Sequence, residues 1–159
     1  MLLYDSKLHI KYTKELYTKS MNIYLDIDGV IVNNNGSIAN YANEFIQHVL
    51  TEYPNSTYWL TTHCQGDASR PIKDIGAMFD DNTIKLMKLI KPTNWVNSSN
   101  KTSAIDFSEP FIWFDDTLFY GEKQELLKHG VLDNWIKVDL LKDPNILLKF
   151  INSFPLPVK

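Results

Sequence analysis

A single cysteine, Cys64, stands in the chain. No intramolecular disulfide can form, so the fold has to be held by its core, which is compatible with a reducing compartment. No apolar run approaches the roughly 20 residues that a helix needs to span a bilayer. Residues 1–20 lack the apolar centre of a secretory signal, which makes a cytoplasmic location the expectation. Net charge is only −3, so no global basic field exists to gather nucleic acid, although a local basic patch is compatible with that total. There is no internal repeat, and no low-complexity stretch beyond the asparagines at 33–35.

The chain does have enough apolar material for one domain. Its 159 residues are 44% hydrophobic and 22% charged, which suffices for a core without staples. Residues 1–20 are rich in Lys and Tyr and carry no clear turn signal, whereas Met21 opens MNIYLDIDGV, the kind of segment on which a compact domain begins. We therefore expect an N-terminal appendage at 1–20 and the functional domain at 21–159. An extra helix packed on the domain is the alternative for 1–20.

Hydrophobic periodicity predicts strands at 22–25, 57–60, 93–96, 111–114 and 135–138. Helical spacing predicts a helix from about 40 to 53, where Ala42, Phe45, Ile46, Val49 and Leu50 recur on one face. Further helices are expected at 82–90, 102–107 and 119–129, the last closed by Gly130 in a left-handed cap. A final helix is expected after Asp143 as N-cap and Pro144 in the first turn, while 65–71 reads as polar and irregular. Strands and helices thus alternate, and several strands are continuously apolar. That is the pattern of an α/β fold with an open parallel sheet flanked by helices.

In such sheets the active site forms beyond the carboxyl ends of the strands. After the first strand comes Asp26-Ile27-Asp28-Gly29-Val30, after the second Thr61-Thr62-His63, and after 111–114 Asp115-Asp116-Thr117, while Lys101 opens the short helix just before that strand. Four carboxylates meeting at one sheet edge would repel unless a cation neutralised them. A hard ion such as Mg2+ suits them, because it takes one or two carboxylates and keeps waters and phosphate oxygens as further ligands. Asp26, Asp28, Asp115 and Asp116 are therefore the candidate metal set. Lys101 supplies a point charge, and Thr61 a hydroxyl, for phosphoryl oxygens. Gly29 allows the backbone to turn so that both carboxylates of Asp-x-Asp reach the site, one as nucleophile and one as proton carrier.

IYLDIDGV resembles the first motif of the haloacid-dehalogenase (HAD) superfamily of phosphohydrolases, YWLT the second, Lys101 the third and FIWFDD the fourth, in order across residues 22–139. The resemblance implies a Rossmann-like fold, a Mg2+-dependent phosphatase acting on phosphate monoesters, and an aspartyl-phosphate intermediate. It implies Asp26 as nucleophile. Asp28 would protonate the leaving oxygen and then activate water, with its backbone carbonyl on the metal. Thr61 and Lys101 would hold phosphoryl oxygens. Asp116 would ligate the metal directly and Asp115 through water, with the two able to exchange roles. Val30 stands where many members carry Thr.

Thr62 competes with Thr61 for the second motif, and Lys91 competes weakly with Lys101 for the third. His63 and Thr62 are further candidates for contacting substrate. His63-Cys64 lacks the ligand count of a zinc site, and Cys64, Trp59 and Trp113 read as packed core. Arg70 and Lys73 read as solvated surface. Residues 29–60 and 62–100 separate the first three motifs and leave room for loops and a few helices but for no sizeable cap domain. An open site favours a phosphate borne on a bulky body, such as a nucleotide, a nucleic-acid end or a protein, over a small sugar phosphate. Alternatives are end processing or phosphotransfer on a nucleic acid, and a non-catalytic phosphate-binding module. A receiver-like signalling domain fits poorly, because it carries its lysine after the last strand. The sequence carries no signal of oligomeric state or of membrane contact.

Overall fold

Short parallel strands need both faces covered, and the strand sequences supply an apolar side chain on each. In the computed structural model, which describes residues 21–95 and 100–153, four strands form: β1 (Asn22–Leu25), β2 (Thr57–Trp59), β3 (Phe111–Asp115) and β4 (Trp135–Lys137). They make one all-parallel sheet in the order β2-β1-β3-β4. The expected fold class is therefore observed as an open parallel α/β sheet. The expected appendage at 1–20 lies outside the described residues.

The period-two alternation of the strands divides two cores. Ile23, Leu25, Trp59, Ile112 and Phe114 belong to one cluster, while Tyr24, Phe111 and Trp113 belong to the other. The first cluster is closed by α1 (Ala42–Glu52), α3 (Asp81–Met87) and α5 (Ile146–Ser153). From these come the buried Phe45, Ile46, Val49, Met87 and Leu147. Phe45 meets Phe114 edge-on, with ring centroids 5.3 Å apart. Removing either ring would cost about 3–5 kcal/mol by emptying a filled interior. The second cluster is closed by α4 (Tyr120–Lys128) through Leu126. Among the described residues no helix is long and apolar enough to cross a membrane.

Several boundaries differ from expectation. The segment expected as a strand at 93–96 pairs with nothing over its described part. Lys91 bridges to Tyr58, but then Thr93 turns its hydroxyl onto the carbonyl of Trp59 and its own carbonyl accepts the Gly66 N–H. Its polar groups are spent on loop contacts instead of a ladder; Val96 lies outside the described residues. The stretch 65–71, read as irregular, contains the start of α2 (Ser69–Ile75). Pro71 falls in the first turn, where a missing N–H costs nothing. The helix expected at 82–90 spans Asp81–Met87. Asp80 caps it, its Oδ1 accepting the Thr83 N–H at 2.7 Å. The short helix expected at 102–107 is a 3-10 turn over Lys101–Ala104. The helix expected from 40 begins at Ala42, because Ile38 pairs antiparallel with Val32 in a small hairpin. The last helix starts at Ile146; Asp143 spends its carboxylate on the Asn145 N–H and its carbonyl on the Ile146 N–H.

The connection from β1 runs to β2 on one side, whereas the connection from β3 runs to β4 on the other. The crevice beyond the ends of β1 and β3 is the topological switch point, where open α/β sheets bind ligands.

Candidate active site

At the end of β1 the backbone of Asp26 donates to the Phe114 carbonyl at 3.0 Å. The ladder then stops, because the Ile27 carbonyl accepts N–H groups from Val30, Ile31 and Val32 and closes a single helical turn. Gly29 carries that turn at φ +75°, in the left-handed region. Its missing side chain serves a second purpose. A Cβ there would stand 2.5 Å from Cγ and 2.7 Å from Cβ of Asp116. The glycine thus lets the β3 end close onto the β1 end.

Asp26, Lys101 and Asp115 form the buried centre. They are 7%, 8% and 1% exposed. The Lys101 Nζ lies 3.0 Å from Asp26 Oδ2 and 2.6 Å from Asp115 Oδ2. Burial pulls the lysine's pKa down, but its two carboxylate neighbours outweigh that and hold it above the ordinary value. Burial raises the Asp26 carboxyl, against the pull of Lys101. Burial and then the charge of Asp26 push Asp115 up to about 7, again against Lys101. One ammonium serves two buried carboxylates, so the centre is short of positive charge at neutral pH.

Asp116, half-buried, completes an oxygen set. Asp26, Asp115 and Asp116 each offer a carboxylate oxygen, and these atoms lie within 4.8 Å of one another. Hard oxygen ligands without sulfur or imidazole fit a hard divalent cation. The two adjacent acids are not equivalent. Asp115 Oδ2 also accepts the Trp113 indole N–H at 3.1 Å, and its Oδ1 accepts the Thr117 N–H at 3.0 Å. Asp115 is engaged at both oxygens by protein donors, which leaves Asp116 the freer ligand.

The expected convergence of four carboxylates is met by three. The side chain of Asp28 is exposed and turns to His63, whose Nε2 lies 3.0 Å from Asp28 Oδ2. The other ring nitrogen, Nδ1, lies 2.8 Å from Asp74 Oδ2 on α2. Burial lowers the imidazole's pKa, but the hydrogen bonds to Asp74 and Asp28 outweigh it and hold the ring above its usual value. Once Asp28 has an imidazole to meet, it has no need to crowd the acid cluster.

Thr61 is fully buried and its side chain lowers the Asp26 carboxyl slightly against the larger rise from burial, whereas Thr62 is exposed. Lys91 is exposed and lies over the Tyr58 ring, its Nζ 5.4 Å from the centroid. The structure therefore brings together Asp26, Thr61, Lys101, Asp115 and Asp116, sets Asp28 with His63 beside them, and leaves Thr62 and Lys91 outside.

Three residues were not singled out from the sequence for the site. Glu122, buried in the first turn of α4, accepts the Lys101 backbone N–H on Oε1 at 3.0 Å and the Phe119 N–H on Oε2 at 3.1 Å. It ties the 3-10 turn carrying Lys101 to the start of α4. Burial raises its pKa, opposed by those two backbone donors. An acid at the third helical position is a readable capping signal, but nothing in the sequence links it to Lys101. Trp113 packs as expected and also donates to Asp115. Asp74 carried no signal at all.

A groove of about 650 Å3 opens from Gly29 and Asp116. The Asn33, Asn34 and Asn35 turn borders it on one side, and Leu140, Leu141 and Pro144 on the other. Comparison with known protein families, with curated proteins and with solved structures finds no match to this chain.

Proposed function

We propose that the protein is a Mg2+-dependent phosphatase of the haloacid-dehalogenase type, with little or no cap, hydrolysing phosphate monoesters through a phosphate bonded to Asp26. The observation that carries this reading is the placement of Asp26. It is a buried carboxylate at the switch point of a parallel sheet, held by Lys101, with Thr61 beside it and Asp115 and Asp116 facing it. A binding module gains nothing from burying two carboxylates against one ammonium.

In the first half-reaction an Asp26 oxygen attacks phosphorus and the bond to the ester oxygen breaks. Asp28 gives that oxygen its proton, so the alcohol leaves neutral. In the second, Asp28 takes a proton from water as the water oxygen attacks phosphorus, which frees the Asp26 carboxylate and regenerates protonated Asp28. Lys101 and Thr61 donate to the phosphoryl oxygens and oppose the charge that gathers there. Asp26, Asp115 and Asp116, with the Asp28 carbonyl, would hold Mg2+, which would supply further screening of that charge. The Asp28 carboxylate is exposed and meets His63 through Oδ2, which leaves Oδ1 for a leaving group arriving from solvent. The groove beside Asp116 and the absence of an inserted domain among described residues 29–60 and 62–95 support a substrate whose phosphate is borne on a bulky body, such as a nucleotide, a nucleic-acid end or a protein.

The test is an acid quench of the enzyme with a phosphate monoester labelled at phosphorus, after a screen of such esters with and without Mg2+. We expect label on the protein, none in Asp26→Asn, and accumulated label in Asp28→Asn, whose second step is slowed. Turnover by a folded Asp26→Asn protein at a near-normal rate would overturn the reading.

A further inference from the structure

An acid–base carboxylate that is 60% exposed at its side chain has no packing to hold its rotamer. The structure gives Asp28 a different restraint. His63, only 25% exposed, is fixed at both ring nitrogens, by Asp28 at Nε2 and by Asp74 at Nδ1. A bond at Nδ1 sets which way Nε2 points. Asp74 is itself placed by α2 and lies 3.8 Å from the Arg70 Nε one turn earlier. The chain of contacts therefore runs from a rigid helix through an imidazole to the one side chain of the site that solvent would otherwise leave free.

We propose that His63, oriented by Asp74, is a positioning residue for Asp28, holding its carboxylate where the leaving oxygen departs, and that His63 does not bind the phosphoryl group. This rests on the reading of Asp28 as the proton carrier. It assigns to His63 a task different from the substrate contact expected from the sequence. It also gives α2 a function, since that helix carries the outer end of the contact chain.

The leaving-group dependence of kcat/KM tests it, because that constant reports the step in which the ester oxygen departs. An acidic phenol leaves with little need of a proton, whereas an alkanol needs one. Aryl and alkyl phosphate monoesters of graded leaving-group acidity are compared in wild type, His63→Ala, His63→Gln, Asp74→Ala and Asp28→Asn, with melting curves recorded for each. We expect His63→Ala to cost at least about ten times more on an alkyl phosphate than on 4-nitrophenyl phosphate, a fraction of the hundred- to ten-thousand-fold worth of general acid catalysis. Asp74→Ala should move the same way by less, and His63→Gln, which retains a donor, should recover part of the loss. A loss uniform along the series would mean a structural role, and a rise in KM at constant kcat would mean substrate binding; either overturns the proposal. Asp28→Asn is the reference. A steep series there with a flat one in His63→Ala overturns the proposal alone, and a flat series in Asp28→Asn overturns the acid–base reading and the proposal with it.

Discussion

Gly29 and Asp116 contend for one small volume: a methyl group on the glycine would stand 2.7 Å from the Asp116 Cβ. The contact joins the first acidic motif to the last across the sheet edge. It accounts for a glycine at this position twice over, once by its positive φ and once by the space it leaves.

Gly29→Ala should therefore damage the site more than a surface loop substitution. The left-handed backbone alone costs about 1–2 kcal/mol with a side chain, and Asp116 must move as well. We expect a lower melting temperature and at least a tenfold weaker Mg2+ response, read by metal titration of activity. A Gly29→Ala protein with unchanged metal dependence would show that Asp116 is not a ligand.

Lys101→Met keeps most of the length of the side chain and removes its charge from between Asp26 and Asp115. Two carboxylates are then left buried without a counter-ion, at a cost of about 3 kcal/mol. Activity should fall by about a hundredfold or more through loss of a donor to the phosphoryl group. Denaturant melts give the first number and steady-state rates the second. Near-wild-type rates in Lys101→Met would remove the lysine from the mechanism.

Asp115 and Asp116 should separate in their phenotypes. Asp115 is buried and accepts from Lys101, Trp113 and Thr117, so Asp115→Ala strands three donors and should destabilise by about 2–4 kcal/mol. Asp116→Ala strands none of these and should chiefly weaken Mg2+. Calorimetric metal titration beside thermal melting reads both effects. The opposite ordering would exchange their roles.

Stability without metal should fall as pH rises from 5 to 8. Asp115 has a folded pKa of about 7, raised from 3.8. Between those values the unfolded chain gives up the proton and the folded one keeps it, so folding loses free energy as pH climbs through that window and levels off above it. His63, also raised, adds in the same direction: its favourable pairing is complete below its unfolded pKa and is lost as pH passes its folded one. Mg2+ competes with the proton for the carboxylates, so the rise in melting temperature on adding Mg2+ should be larger at pH 8 than at pH 5. An equal rise at both would show that the metal does not bind at this centre.

Much of the site was legible because its parts are local. An apolar tetrad followed by Asp26, or by Asp115-Asp116, announces a strand and what stands at its end, since a parallel strand buried on both faces has only its termini free for polar residues. The boundaries that shifted did so for reasons outside any short window. Residues at 93–95 lost their ladder to contacts with Trp59 and Gly66. Ser69–Ile75 became a helix despite Pro71 because the first turn needs no donor there.

Periodicity and the order of acidic, hydroxyl and basic residues along the chain were enough to expect an open parallel α/β sheet with those residues at its strand ends, because both follow from which side chains neighbour one another in sequence. The tertiary structure decided what lies across gaps in the chain. It set one lysine between two carboxylates, Thr61 rather than Thr62 against Asp26, and Glu122 behind Lys101. It also drew Asp28 away from the acid cluster to His63, and through His63 to Asp74 on a helix that polar sequence had concealed. Such pairings depend on distances of about 3 Å between residues 11 to 35 positions apart, and only the packing of the sheet against its helices sets those distances.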